Sequence, residues 1–311
     1  MAIEVSERAA SLRSRIRAGP ALLLDAAMGT ELERRGAPVD LPLWSARALS
    51  ECPGLVLAIH GEEVAAGAEI LTANTFRTHR RTLAREGQEG RSAELTRTAV
   101  SLARQAARGA SHAVFVAGSL SPLEDCYRPD LVPAGEAIER EHALQSESLA
   151  AAGVDCILVE TQNTVRELAA AARWARASGL PVIASMITDG EGRLLSGEPL
   201  EEAVGSLAAL RLEALSINCV PARRLSKDLS LLSRAAPGVP LSAYANLGPP
   251  TGEDRTAFTE PVSPEDYAAL AREWLAIGAR IIGGCCGTTP AHTAALRRML
   301  DSGGDSSPLN P

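Results

Sequence analysis

Short apolar, β-branched runs alternate with alanine-rich stretches of mixed polarity along the 311-residue chain. The apolar runs predict strands at 21–25 (ALLLD), 68–74 (AEILTAN), 112–119 (HAVFVAGS), 154–161 (VDCILVET), 181–187 (PVIASMI), 214–220 (ALSINCV), 240–246 (PLSAYAN) and 279–285 (ARIIGGC). Each run is nearly continuous in apolar residues, the pattern of parallel strands covered on both faces. Between them, SAELTRTAVSLARQAARG, GEAIEREHALQSESLAAAG, TVRELAAAARWARASG and SPEDYAALAREWLAIG repeat apolar residues at helical spacing. Gly67, Gly109, Gly153, Gly179 and Gly278 each stand just before the next strand, where a glycine closes a helix. Ser263-Pro264 with Glu265 and Asp266 is a helix start, with acids at the positive end of the dipole.

Eight such strand–helix units predict an α/β fold of one domain, a (β/α)8 TIM barrel over residues 1–301. A doubly wound sheet is the alternative, weakened because no G-x-G-x-x-G follows the first strand. The Gly/Ser/Pro-rich residues 302–311 are expected to form a mobile tail. The connections 26–52 and 119–135 are long and follow strand C-termini, where barrel enzymes carry their substrate loops.

Composition narrows the function. Net charge is -7 and aromatics are 3%, which disfavours a nucleic-acid-binding surface. The first twenty residues lack the apolar segment of a secretory signal, and no apolar run has the length of a membrane span. The expectation is a cytoplasmic protein that acts on small molecules and binds neither nucleic acid nor membrane, with an oligomer left open. Six cysteines are too few for a disulfide scaffold. Cys52, Cys126 and Cys156 stand singly and read as filler. The single lysine, Lys227, lies past the nearest strand, which disfavours Schiff-base chemistry. His79 follows the second strand and reads as a solvated loop residue; His60, His112, His142 and His292 receive no role.

A barrel brings all strand C-termini to one rim. Asp25, Asn74, Ser119, Glu160, Asn218, Cys219, Asn246, Cys285 and Cys286 fall at those ends. Any barrel rim is polar, but three cysteines are poorly explained by that alone. Three thiolates around a zinc ion leave a fourth position open, the signature of a catalytic site. Gly283, Gly284 and Gly287 would lend the backbone freedom that a vicinal ligand pair needs. Buried or redox-active thiols are the competing reading. An open zinc site suits a thiol substrate, since coordination deprotonates the thiol. Asp25 and Glu160 could take an ammonium, and backbone N–H groups of the first loop a carboxylate. The acceptor then resembles a small amino-acid thiol.

The segments LLLDAAMGTELERRG, LWSARAL, TANTFRTH, VETQN, SINC and IIGGCCGTTPAH, in that order, resemble the homocysteine S-methyltransferase family. That family includes the betaine– and S-methylmethionine–homocysteine methyltransferases and the homocysteine domain of cobalamin-dependent methionine synthase. The resemblance runs from about Leu22 to about Leu300. It implies zinc held by Cys219, Cys285 and Cys286, and methyl transfer to the thiolate of homocysteine, giving methionine. It implies that Asp25 and Glu160 hold the homocysteine amino group, with Met28, Gly29 and Thr30 beside them and Asn218 shaping the rim. After the first strand the family often reads Asp-Gly-Ala/Gly-Met, where this chain has Asp25-Ala26-Ala27-Met28.

The donor is less constrained. Quaternary ammonium ions are held against aromatic faces, and only Trp44, Phe76 and Tyr127 are placed for that. Trp44, Asn74, Phe76 and Asn246 are the candidate donor contacts. A sulfonium donor ranks first, S-methylmethionine and then S-adenosylmethionine. Betaine, a cobalamin-bound methyl group, and another thiol or selenol acceptor are alternatives. A thiol redox or zinc-buffering protein is the alternative from another class.

Overall fold

The computed structural model describes residues 2–248, 250–251 and 257–303. Eight parallel strands form one sheet: β1 (Leu22–Leu23), β2 (Ile70–Ala73), β3 (Phe115–Leu120), β4 (Cys156–Gln162), β5 (Val182–Met186), β6 (Ala214–Pro221), β7 (Leu241–Asn246) and β8 (Ala279–Gly284). β1 pairs with β8, and a parallel bridge between Leu24 and Ile70 joins β1 to β2, so the sheet closes on itself. This is the expected (β/α)8 barrel, with helices packed around it. β1 is two residues long, shorter than expected, but Leu24 and Asp25 continue its bonding on both sides: Leu24 N donates to Ile282 O at 2.8 Å and Asp25 N to Ile70 O at 3.0 Å. A two-stranded ribbon, Pro250–Thr251 with Ala257–Phe258, follows β7.

The helix signals hold where their chemistry is local. Ser263 Oγ accepts from Asp266 N at 3.1 Å and caps Pro264–Ile277. Gly153 ends Gly135–Ala152 at φ +83°, as expected, whereas Gly109 keeps an ordinary right-handed φ of -81°. The last helix runs through Gly303, past the expected boundary at 301; the rest of the expected mobile tail lies outside the described residues. Among the described residues, no helix is long and apolar enough to cross a membrane.

The hydrophobic pattern left residues 1–20 unassigned, yet they form helix α1 (Ala2–Ala18) across the N-terminal end of the barrel. Leu12 and Ile16, one helical turn apart, are fully buried against Leu22, Ile70, Phe115, Cys156 and Ile281 of the barrel interior. Fully burying two such side chains is worth roughly 3–6 kcal/mol. Arginines on the same helix reach acids that stand just before strands: Arg8 to Asp155, Arg13 to Glu213 and Arg15 to Glu69. One end of the barrel is thereby sealed, and the other carries the cysteines.

Candidate metal centre

The open end is built on two irregular strands. β4 loses register with β5 between Val159 and Gln162, and β6 loses register with β7 between Asn218 and Pro221. Such bulges bend a strand and re-aim its side chains. Thr161 and Cys219, at these breaks, take φ of +60° and +54°. Left-handed backbone costs a non-glycine residue about 1–3 kcal/mol and persists only when the surroundings impose it. Two asparagines impose it here. Thr161 N donates to Asn218 Oδ1 at 3.0 Å, while Asn218 Nδ2 donates to Thr161 Oγ1 at 2.9 Å. Asn246 Nδ2 donates to Cys219 O at 2.8 Å.

The result aims Cys219 at the vicinal pair that follows β8. Its Sγ lies 3.7 Å from Cys286 Sγ, and all three sulfurs of Cys219, Cys285 and Cys286 lie within 4.8 Å of one another. Two sulfurs each about 2.3 Å from a tetrahedral zinc stand about 3.8 Å apart, so this spacing fits the ion. The donor set fits it too, since sulfur-only ligands select soft metals such as zinc or Cu(I). S–H donation from Cys285 and Cys286 holds the Cys219 thiol well below its usual range, and that same bonding pushes Cys285 up. Tyr127 adds its hydroxyl, 3.3 Å from Cys219 Sγ.

The glycines around the pair act differently from the expectation. A Cβ on Gly283 would come 2.6 Å from Leu24 Cβ, and one on Gly284 would come 2.2 Å from Thr288 Oγ1. These two are glycine because neighbours press against them. Only Gly287 of the three uses backbone freedom, at φ +86°.

A cavity of about 650 Å³ opens above the sulfurs and contains Asp25, Glu160, Trp44, Phe76, Arg77 and Tyr127 in its wall. Asp25 Oδ2 accepts from Thr72 N at 2.7 Å and Oδ1 from Thr72 Oγ1 at 2.8 Å. Glu160 accepts from Ser119 Oγ, and from the Tyr244 hydroxyl at 3.4 Å. Both carboxyls are buried with neutral partners. Burial, with Glu63 adding repulsion, drives Asp25 well above the usual carboxylate range, and burial pushes Glu160 up to about 7.

Met28, Gly29 and Thr30 line the cavity as the first turn of helix α2 (Met28–Arg34), a helix where the sequence pattern suggested a loop. Thr30 Oγ1 accepts from Gly287 N at 3.0 Å and so ties this turn to the cysteine segment. Gly29 lies flat under Trp44, whose ring would be 2.3 Å from any Cβ there. Trp44 and Phe76 meet edge to face at 6.0 Å, and Asn74 Nδ2 donates to Ser45 O at 2.8 Å in the same wall. Asn218 braces Thr161 behind the cavity wall, and Asn246 braces Cys219, its Nδ2 lying 2.8 Å from Cys219 O and 3.8 Å from Cys219 Sγ. Cys126, which reads as filler, lines the cavity, and His79 is buried rather than solvated, accepting from Thr82 N to cap the helix Arg80–Ala84.

Residues 22–300 match the family model for homocysteine S-methyltransferase. The chain belongs to the homocysteine S-methyltransferase family. It is an enzyme of the methyltransferase class. It is 36% identical to a homocysteine S-methyltransferase of Escherichia coli, over 89% of this chain and 94% of that one. It is 29% identical to a selenocysteine methyltransferase of Astragalus bisulcatus, over 92% and 94%. The crystal structure of the homocysteine methyltransferase MmuM from Escherichia coli, in its metallated form, superposes with a TM-score of 0.80 at 33% identity, covering 92% of this chain and 99% of that one.

Some of this methyltransferase's site had no signal in the hydrophobic pattern. Thr72 and Tyr244 were read as strand interior and Ser119 as one of the polar strand ends, yet all three hold the two acids. Arg77 was visible only as one letter of TANTFRTH.

Proposed function

We propose that the enzyme transfers a methyl group from a sulfonium donor, with S-methylmethionine first among candidates, to the thiolate of L-homocysteine, with zinc as its resident metal. One observation carries this reading: three clustered sulfurs share a cavity with two buried acids that have no cationic partner among the described residues. Zinc, when bound by Cys219, Cys285 and Cys286, holds a thiol deprotonated at neutral pH, where a free thiol of pKa about 8.5 is mostly protonated.

The chain's own residues supply the rest. Asp25 and Glu160 accept the acceptor's ammonium, which restores to each carboxylate the stabilisation that burial removes. Thr72, Ser119 and Tyr244 keep the acids pointed at the cavity. Held so, the acceptor sulfur attacks the donor methyl carbon; a C–S bond forms to the acceptor and the donor's C–S⁺ bond breaks. The leaving group departs as a neutral thioether, so the reaction needs no general acid, in keeping with a cavity wall that contains no histidine among the described residues. Trp44 and Phe76 offer aromatic surface to the sulfonium cation.

The name of the Astragalus relative favours testing a second acceptor, a selenol, since a soft sulfur-rich site suits selenium equally. A redox or zinc-buffering role gives Asp25 and Glu160 no task. The test is methionine formation from homocysteine and S-methylmethionine, before and after chelation. The expected result is turnover that chelator abolishes and zinc restores. Zinc binding with no turnover, for any of S-methylmethionine, S-adenosylmethionine or betaine, would contradict the proposal.

A further inference from the structure

Glu63 is a third buried acid beside this site. It sits on the helix Pro53–Ala65 and is 2% exposed. Its carboxyl bonds to both halves of the site from behind the cavity wall. It accepts from the backbone N–H of Ala26, the cavity-lining residue after Asp25. Its Oε2 accepts from Thr293 Oγ1 at 2.6 Å, in the first turn of the helix Pro290–Gly303 that follows the cysteine pair. One side chain thus holds the backbone next to an acid of the cavity and ties it to the helix that anchors the sulfurs.

Both donors are neutral, and the charged groups that act on Glu63 are acids. Glu31 of α2 and Glu62 of its own helix repel it, and it repels Asp25 in turn. The arginines of this region are taken. Arg34 and Arg35 pair with Glu31, Arg35 also with Glu62, and Arg297, one turn beyond Thr293, pairs with Glu69 and Asp301. His60, one turn before Glu63, is lowered to about 4 by burial and is uncharged at neutral pH. Burial above all pushes Glu63 up to about 7, so it carries its charge above that pH. A buried charge is costly unless the folded protein or a ligand supplies its opposite. A carboxylate need not touch a cation to stabilise it, because charges act over distance in a poorly polarisable interior.

We propose that Glu63 is a positioning and specificity residue of the acceptor site: it fixes the backbone beside Asp25, and its negative charge selects a thiol that carries an ammonium group over one that does not. This rests on the reading of Asp25 and Glu160 as the acids that take the acceptor's ammonium. Asp25 meets the ammonium directly, and Glu63 acts through it. With the ammonium in place, the repulsion between Asp25 and Glu63 is offset by a cation that both attract.

The test pairs a protein change with a ligand change, and needs no methyl donor. Zinc-loaded wild type, Glu63→Gln and Glu63→Asp are titrated calorimetrically at pH 8 and pH 6 with homocysteine and with 4-mercaptobutanoate, the same chain without its amino group. At pH 8, where Glu63 is charged, Glu63→Gln should bind homocysteine about three- to tenfold more weakly than wild type, the scale of one charge acting without contact. Its affinity for 4-mercaptobutanoate should stay within about twofold, and Glu63→Asp, which keeps the charge, should keep most of the preference for homocysteine. At pH 6 Glu63 is protonated in wild type as well, so wild type and Glu63→Gln should agree within about twofold on homocysteine. An equal loss with both thiols, or a loss of the same size at both pH values, would make Glu63 a structural brace only and overturn the proposal. So would a Glu63→Gln protein that binds homocysteine as tightly as wild type at pH 8. If the charge-dependent preference appears and no methionine forms with any donor, Glu63 keeps its role and the transfer reading fails alone. If wild type binds homocysteine no better than 4-mercaptobutanoate, the selection by Glu63 fails even where methionine forms.

Discussion

At the sealed end of the barrel, acids meet arginines: Asp155 accepts from Arg8, Arg104 and Val116 N, and Glu213 from Arg13 and Val182 N. At the open end, Asp25 and Glu160 are equally buried but, among the described residues, meet only hydroxyls and one backbone N–H, while Arg77 donates to the carbonyl of Glu124. The same residue types therefore behave in opposite ways. Burial alone would raise Asp155, but its bonds to Arg104 and Arg8 outweigh burial and hold it below the ordinary range. Asp25 and Glu160, with no cation beside them among the described residues, are driven up by burial. Charges neutralised within the chain stabilise it, and charges left without an opposite are completed by what binds.

Substitutions at the two ends should separate stability from chemistry. The largest effect is expected at the sulfurs: Cys219→Ser, Cys285→Ser or Cys286→Ser should each lose bound metal and lower activity more than about a hundredfold. Thermal unfolding should still show a folded barrel, with metal content measured on the same samples. Asp155→Ala should do the reverse. It strips two partly exposed arginines and one backbone N–H of their shared acceptor, so denaturant unfolding should show a loss of about 3 kcal/mol. The kcat of the folded fraction should not change.

Glu160→Gln sharpens the contrast through pH. The folded protein holds the Glu160 proton up to about 7, against 4.5 for the free side chain. Folding therefore takes up a proton between those values, and stability from this group falls as pH rises from about 4.5 to about 7. Glu160→Gln should be more stable than wild type at pH 8, and the gain should vanish near pH 4.5. The same neutral carboxyl cannot pair with an ammonium. The wild-type KM for homocysteine should rise up to about tenfold per pH unit below about 7, a slope that Glu160→Gln flattens.

What the hydrophobic pattern could reveal followed from period and position. Strand ends share a rim in any parallel barrel, so Asp25, Glu160, Cys219 and the Cys285-Cys286 pair could be placed on one mouth before their geometry was known. The left-handed turns at Thr161 and Cys219 left no trace, because both are non-glycine residues in runs that read as ordinary strand. Their support comes from Asn218, expected to shape the rim, and from Asn246, a candidate donor contact; both brace the backbone. Helix α1 was hidden for another reason. Its apolar residues Leu12 and Ile16 are diluted by arginines whose partners lie 54 to 200 residues away, a pairing that no local window contains.

The account depends on three sulfurs from the ends of β6 and β8 leaving one coordination position open on a bound metal. Zinc K-edge X-ray absorption on the purified protein, with and without homocysteine, tests this most directly. The expected result is one zinc per chain with three sulfurs and one nitrogen or oxygen neighbour, changing to four sulfurs when homocysteine is added. A four-sulfur shell before homocysteine, or a first shell that homocysteine leaves unchanged, would contradict it.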